Sequence, residues 1–284
     1  MNKKQFIDSV NTIDNLSAAE NLIVNYFIDH YTMLPFAKID VLCKQIGIGK
    51  ATLGRFLNRL GFTGFMQFKK RVSEDLVQEL STPIDRCISG QGEKNNDCVI
   101  SAHYQEVMGN MESTFESLSH DDFYQALHYV TNQEGKLYII GSASAEALAN
   151  YYYLLARYLR KDVVLIRADP STLPHQLVDV TQKDTLFAIS YHRFSSITIR
   201  LVHWFKEYGG KIIVLTDQQV NPFVSYADII FSVESESEGI FNNRTAGFSL
   251  IEAFIKGMSN TKDKEERFSK IEDTFSDFDF FKNN

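Results

Sequence analysis

The sequence predicts two domains of different class: an all-α amino-terminal domain, then an α/β domain built on a five-stranded parallel sheet with helices on both faces. Three observations carry this. Apolar residues recur at helical spacings of three and four up to about residue 80. From about residue 136 they gather instead into five short runs separated by helix-length segments. Between the two regions, STPIDRCISGQGEKNND (81–97) loses periodicity and gains Gly, Pro and polar residues. The expected organisation is therefore a first domain over 1–80, a linker over 81–97, a second domain over 98–262, and a helix with an aromatic tail over 263–284. A length of 284 residues suits two domains.

In the first domain, Ser17-Ala18-Ala19-Glu20 is a capping box, whose hydroxyl and carboxylate each satisfy a free backbone N–H at a helix start. That helix should run to about Tyr31. Ile39, Leu42 and Ile46 mark a second, ended by Gly47-Ile48-Gly49. A third, from Lys50 to Leu60, buries Leu53, Phe56, Leu57 and Leu60 and turns Ala51, Gly54, Arg55 and Asn58 outward, with Thr52 and Arg59 at the flanks. Gly61 supplies its left-handed end. From Phe65 a fourth carries Phe68, Val72, Leu76 and Leu80.

Two short helices joined by a Gly-containing turn, the second small, polar and basic on its outer side, describe a helix-turn-helix. Arg55 and Asn58 have the chemistry to read base edges, with Ala51 allowing close approach. Lys50, Thr52, Arg59 and Lys69 suit phosphates. A helical bundle with a solvated polar face is the competing reading. Charge favours the first. Residues 38–71 hold eight basic side chains against one acid, so the remainder of a chain of net charge −7 carries a surplus of fourteen negative charges. A basic module on an acidic body is expected when one domain meets double-stranded operator DNA and the other does not.

Hydrophobic residues at 44% and charged residues at 23% are ordinary globular usage. No stretch suggests a membrane span or a signal peptide, so the expected location is cytoplasmic, with no membrane partner. Cys43, Cys87 and Cys98 show no metal or disulfide spacing and read as reduced thiols. No cofactor or metal is expected.

In the second domain, two helical stretches (about 98–118 and 120–132) precede the runs KLYII (136–140), DVVLI (162–166), DTLFAIS (184–190), KIIVL (211–215) and DIIFS (228–232). With the flavodoxin-like order 2-1-3-4-5, ligands bind beyond the carboxyl ends of the first and third strands. The segments found there are Gly141-Ser142-Ala143-Ser144 and Ser190-Tyr191-His192-Arg193-Phe194-Ser195-Ser196. Each leads into a helix, and two helix N-termini with clustered hydroxyls suit an anion.

The segments LSAAENLIVNYFIDH, IGIGKATLGRFLNRLGFTGF and KLYIIGSASAEALA together resemble the RpiR/MurR family of bacterial transcriptional regulators, over about residues 16–260. The resemblance implies a helix-turn-helix followed by a sugar-isomerase (SIS) domain. It also implies a homodimer or tetramer that acts on carbohydrate genes and senses a phosphorylated sugar. By position, Ser142 and Ser144 match the family's first phosphate loop. Ser190 matches the first Ser, and Ser195 the Thr, of its Ser-x-Ser-Gly-x-Thr loop. The second Ser is His192 here and the Gly is Arg193. Arg193 either grips phosphate or carboxylate, with His192 adding a donor, or pairs with an acid such as Glu238 and closes the pocket. Gly49 stands where the family has a Ser N-cap.

Two other readings stay open: an SIS domain that only dimerises, and a sugar-phosphate isomerase with His192, His175, Glu236 or Glu238 as base. Tyr151-Tyr152-Tyr153 reads as a helix face packed on the sheet or on a partner subunit. The tail FSDFDFFKNN reads as docking on its own domain or on a second subunit.

Overall fold

A computed structural model describes residues 3–13, 15–31, 34, 37–79, 83–88, 98–219, 221–260 and 264–280. The chain divides into one unit of residues 1–90 with 220–222 and a second of the remaining residues.

The first unit is helical: α1 (Lys3–Asn11), α2 (Ala18–Asp29), α3 (Ile39–Ile46), α4 (Lys50–Arg59), α5 (Phe65–Glu79) and α6 (Pro83–Ile88). The capping box forms as expected. Ser17 Oγ accepts from the Glu20 N–H (3.3 Å), and the Ser17 N–H donates to Glu20 Oε2 (2.8 Å). Gly47 closes α3 and Gly61 follows α4, both in the left-handed region (φ 78° and 86°) that glycine adopts without a Cβ penalty. Phe6, Ile23, Phe27, Leu53, Phe56, Leu57 and Phe68 are fully buried in one core. Helix α1, which the sequence reading did not assign, contributes Phe6 and Val10 to it. Most of the expected linker lies outside the described residues, but α6 makes 83–88 helical.

The second unit opens with α7 (Val99–Ser117) and α8 (His120–Thr131) and then alternates strand and helix. Its elements are β1 (Leu137–Gly141), α9 (Ala145–Leu159), β2 (Val163–Leu165), α10 (Leu173–Leu177), β3 (Thr185–Ile189), α11 (Ser196–Glu207), β4 (Lys211–Thr216), β5 (Ile229–Ser232), α12 (Thr245–Met258) and α13 (Lys264–Asp277). The strands are all parallel in the order β2-β1-β3-β4-β5, with Ile140 of β1 beside Ala188 of β3. The fold class read from the sequence is thus borne out.

Alternation along β1 sends Leu137 and Ile139 into one core, with α9 and α12, and Tyr138 and Ile140 into the other, with α11. Burying a strand on both faces needs the nearly unbroken apolar runs seen in the sequence. Arg160, almost wholly buried, ties the lower ends of the elements together. It donates to the carbonyls of Val130 (2.7 Å), Gly135 and Lys161 (3.1 Å). Tyr152 of the three-tyrosine stretch is fully buried, Tyr151 donates to Glu252 (2.9 Å), and Tyr153 lies under Arg157. In the tail, Phe278 and Phe280 are exposed and stack on each other, and 281–284 lie outside the described residues.

Candidate functional site

In the first unit, α4 presents the expected face. Ala51, Arg55 and Asn58 are exposed and Thr52 is half-buried, while Leu53, Phe56 and Leu57 face the core. Arg55 Nη2 lies 3.5 Å from Thr52 Oγ1, a loose contact that leaves the guanidinium able to reach outward. Gly49 caps the helix with no side-chain bond. Nothing lies within 4 Å of where a Cβ on Gly54 would sit, so the fold itself does not call for glycine there.

The basic residues at the flanks are less free. Lys50 pairs with Asp40, both largely exposed, which raises the lysine pKa. Such a surface pair is weak and easily exchanged for a phosphate. Arg59 Nη1 is 2.6 Å from Oε1 of the buried capping-box Glu20. The Ser17 backbone N–H, and after it Arg59, hold that carboxyl below its ordinary range against the opposing effect of burial. Lys69 Nζ donates to the Ala37 carbonyl (3.2 Å), and burial lowers its pKa. It lines a cleft of about 540 Å³ with Lys38, Thr63 and Met66.

In the second unit, β1 and β3 end side by side, and the loops after them open into α9 and α11. Gly141 makes the first turn possible, because a Cβ there would sit 2.2 Å from the Ala145 carbonyl oxygen. Ala143 then takes φ 54°. Ser144 and Ser195 are the N-caps of α9 and α11, and neither makes a side-chain capping bond. In α9 the Ala145 and Glu146 N–H groups donate to the Ser142 and Ala143 carbonyls (3.2 and 3.1 Å), whereas the first N–H groups of α11 have no capping side chain. Ser142 Oγ lies 3.2 Å from Oγ1 of the fully buried Thr198, which links the two loops. Ser190 is buried and its N–H donates to the Leu215 carbonyl (2.9 Å), while Ser196 is exposed in the first turn of α11.

Arg193 is exposed and takes φ 62°, in the left-handed region, at the position where the resemblance places glycine. The side chain has changed while the backbone keeps a glycine-type turn. Arg193 makes no ion pair or hydrogen bond with a described residue. The Glu238 backbone N–H donates to Glu106 Oε2 (3.1 Å).

His192 turns inward. Its N–H donates to Asp217 Oδ1 (2.6 Å), and its Nδ1 lies 3.4 Å from Oδ2, an ion-pair distance without hydrogen-bond geometry. Asp217, just after β4, is fully buried and also accepts from Ser235 Oγ (2.8 Å). Burial would raise its pKa. The bonds from His192 and Ser235, with the charges of His192 and Arg244, outweigh burial and leave the carboxyl below its ordinary range.

Arg244 completes the cluster. It lies 3.5 Å from Asp217, 3.4 Å from Ser144 Oγ, and 3.9 Å above the ring of Tyr191. The Tyr191 hydroxyl is buried against Gly247, where a Cβ would come within 2.0 Å. Sequence reasoning missed Arg244, Asp217 and Thr198. Asp217 could have been found, since it follows a strand end like the two loops that were singled out. Arg244 lies in a loop with no motif. His192 and Arg244, the hydroxyls of Ser142, Ser144 and Ser195 and the uncapped start of α11 gather around one satisfied carboxylate and make a crevice suited to an anion. Among the described residues no group of His, Cys, Asp and Glu could hold a metal, and no helix is long and apolar enough to cross a membrane.

The crevice lies at the β1/β3 switch point, where doubly wound sheets of this order bind ligands, and residues 131–257 match the SIS domain family. The chain is 24% identical over 255 residues to an uncharacterised HTH-type transcriptional regulator of Clostridium perfringens, covering 89% of each. It is 21% identical over 246 residues to another from Haemophilus influenzae, covering 85% of this chain and 83% of that protein. The fold is similar to that of Vibrio vulnificus NanR complexed with ManNAc-6P (TM-score 0.57, 14% identity, 98% of this chain and 99% of that one). It is also similar to the sugar isomerase domain of an RpiR transcription factor from Sphaerobacter thermophilus (TM-score 0.56, 15% identity, 64% and 99%). An SIS domain and HTH-type regulators along most of the chain are what the RpiR/MurR resemblance implies.

Proposed function

We propose that the protein is a cytoplasmic, homo-oligomeric transcriptional regulator of carbohydrate genes, whose SIS domain senses a phosphorylated sugar or a related anionic metabolite. The uncapped N-terminus of α11 beside Ser142, Ser144, Ser195 and the guanidinium of Arg244 supports the sensing role. Backbone N–H groups and a fork of guanidinium donors are what a phosphate dianion requires. The relatives, HTH-type regulators matched along most of this chain, support DNA binding and a role other than catalysis, and the exposed Ala51, Arg55 and Asn58 of α4, with Thr52, are the residues we assign to it. The ManNAc-6P bound by NanR points to the same ligand class. Only a ligand with different affinity for two states of the protein shifts its grip on DNA.

The test is a thermal-shift series on the full chain with matched phosphorylated and unphosphorylated hexoses and with sugar acids. A ligand at ~100 times its Kd adds about 2.7 kcal/mol, enough to move Tm visibly. Phosphorylated sugars alone should raise Tm, and Arg193→Ala or Arg244→Ala should abolish the rise. A response to sugar acids alone would assign a carboxylate effector. One observation favours a second reading: Arg244 already lies over Tyr191 and against Ser144, as a scaffold closed on itself would have it. No response to any ligand would establish that reading.

A further inference from the structure

His192 stands where the resemblance places a serine, and Asp217 dictates how the ring can be used. The buried carboxylate accepts the His192 backbone N–H at Oδ1 (2.6 Å) and sets Oδ2 3.4 Å from Nδ1 of the ring. A lone pair on Nδ1 would face a negative oxygen, so Nδ1 carries the proton of the neutral ring. Ser235 fixes the charge on that oxygen further, because its hydroxyl donates to Oδ2 (2.8 Å) while its own oxygen accepts from Asn242 Nδ2 (3.1 Å). The His192 side chain is 12% exposed, and Nε2, with no partner among the described residues, is the nitrogen left to the crevice. With the proton on Nδ1, Nε2 is an acceptor only and repels a phosphate or carboxylate oxygen. A serine here would donate at any pH, whereas this histidine donates only after a second proton arrives.

We infer that His192 takes the effector's anion as an imidazolium, so that the protein binds effector and proton together. The inference rests on the anion-sensing reading above and adds to it a response to pH. Among the described residues, the charged groups set against the ring are Asp217, after β4, and Arg244, ahead of α12. Arg244 lies 3.5 Å from the same carboxylate and 3.4 Å from Ser144 Oγ. Arg193, next in the loop, is exposed. Arg244 answers the charge of Asp217, so a neutral imidazole leaves the buried cluster balanced before any effector arrives. An anion at the uncapped start of α11, which begins four residues on at Ser196, upsets that balance. Protonation of Nε2 restores it and adds a charge-assisted hydrogen bond. Effector binding therefore strengthens as the pH falls, and an acidified cell lowers the effector concentration at which the regulator responds.

The test is isothermal titration calorimetry of the full chain with N-acetylmannosamine 6-phosphate and with glucose 6-phosphate, in two buffers of different ionisation enthalpy. At about pH 8 a phosphate monoester, with its second pKa near ~6, is fully ionised and contributes no protons of its own. The difference in heat between the buffers counts the protons exchanged, and net uptake is expected. From about pH 7 to about pH 8.5 the Kd should rise with pH by up to tenfold per unit. His192→Gln, whose amide donates without titrating, should bind with no such dependence. Where that variant binds too weakly to titrate, the ring nitrogens of 15N-histidine-labelled wild type decide. The signals absent from His192→Gln should move to imidazolium positions when either sugar phosphate is added. Binding without proton uptake, or an uptake that survives in His192→Gln, overturns the inference and leaves the anion site standing. Binding of neither sugar phosphate at any pH overturns the sensing reading and the inference with it.

Discussion

Asp217 is the residue on which the crevice turns, because a buried carboxylate is tolerable only when its acceptors are filled and its charge is answered. His192, Ser235 and Arg244 do both, and they hold its pKa below the ordinary range after burial has opposed them. The stability it contributes is therefore fully present above about pH 4 and is lost as the pH falls through the lower folded value. Asp217→Asn should cost about 3 kcal/mol at neutral pH, since it leaves the largely buried Arg244 guanidinium without its carboxylate. The gap between wild type and variant should close in acid, which urea melts at pH 7 and at acid pH would reveal. Little of this was legible in the sequence. The hydroxyls of Ser142, Ser144 and Ser195 are found by following strand ends. What fills the space between them depends on Arg244, whose neighbours are a hundred residues away in the chain for Ser144 and 53 for Tyr191.

Among the elements, α4 shows how one helix divides its basic residues between two tasks. Arg55 and Asn58 face outward, whereas Arg59 is spent on Glu20, the acid that also closes the N-terminus of α2. That tie fastens α4 to α2 and makes Arg59 a positioning residue. Arg55→Ala should weaken operator binding by about 1–3 kcal/mol, with no change in melting temperature. Arg59→Ala should lower the melting temperature first. Anisotropy titrations on operator and random DNA, paired with melts, distinguish the two. An equal loss on both DNAs would make Arg55 a phosphate contact. Periodicity located α2 to α5 and all five strands because each has a long apolar face or run. It missed α1, where only Phe6 and Val10 signal burial, and α6, whose six residues lie in a Pro- and Gly-rich segment. The loop after β5 was illegible for a plainer reason. VESESEG reads as solvated acid, yet its backbone is held by side chains from α7.

For the molecule as a whole, that ladder means α7 serves both the crevice and the surface. The loop it holds runs from β5 directly into Arg244, and the helix begins at Val99, just beyond the segment 81–97. In the homo-oligomer proposed above, folding and assembly would be linked by mass action, and Tm should rise with protein concentration. Differential scanning calorimetry over a dilution series measures this, and a concentration-independent Tm would place the stabilising contacts within one chain. The helix also shapes the chain's early life. Ile100, Tyr104, Met108 and Phe115 leave an exposed apolar ridge along it, and surface of this kind is what chaperones hold and aggregates recruit. The yield of native protein in a cell should thus depend on how soon that ridge is covered, a dependence written into the outward side of a single helix.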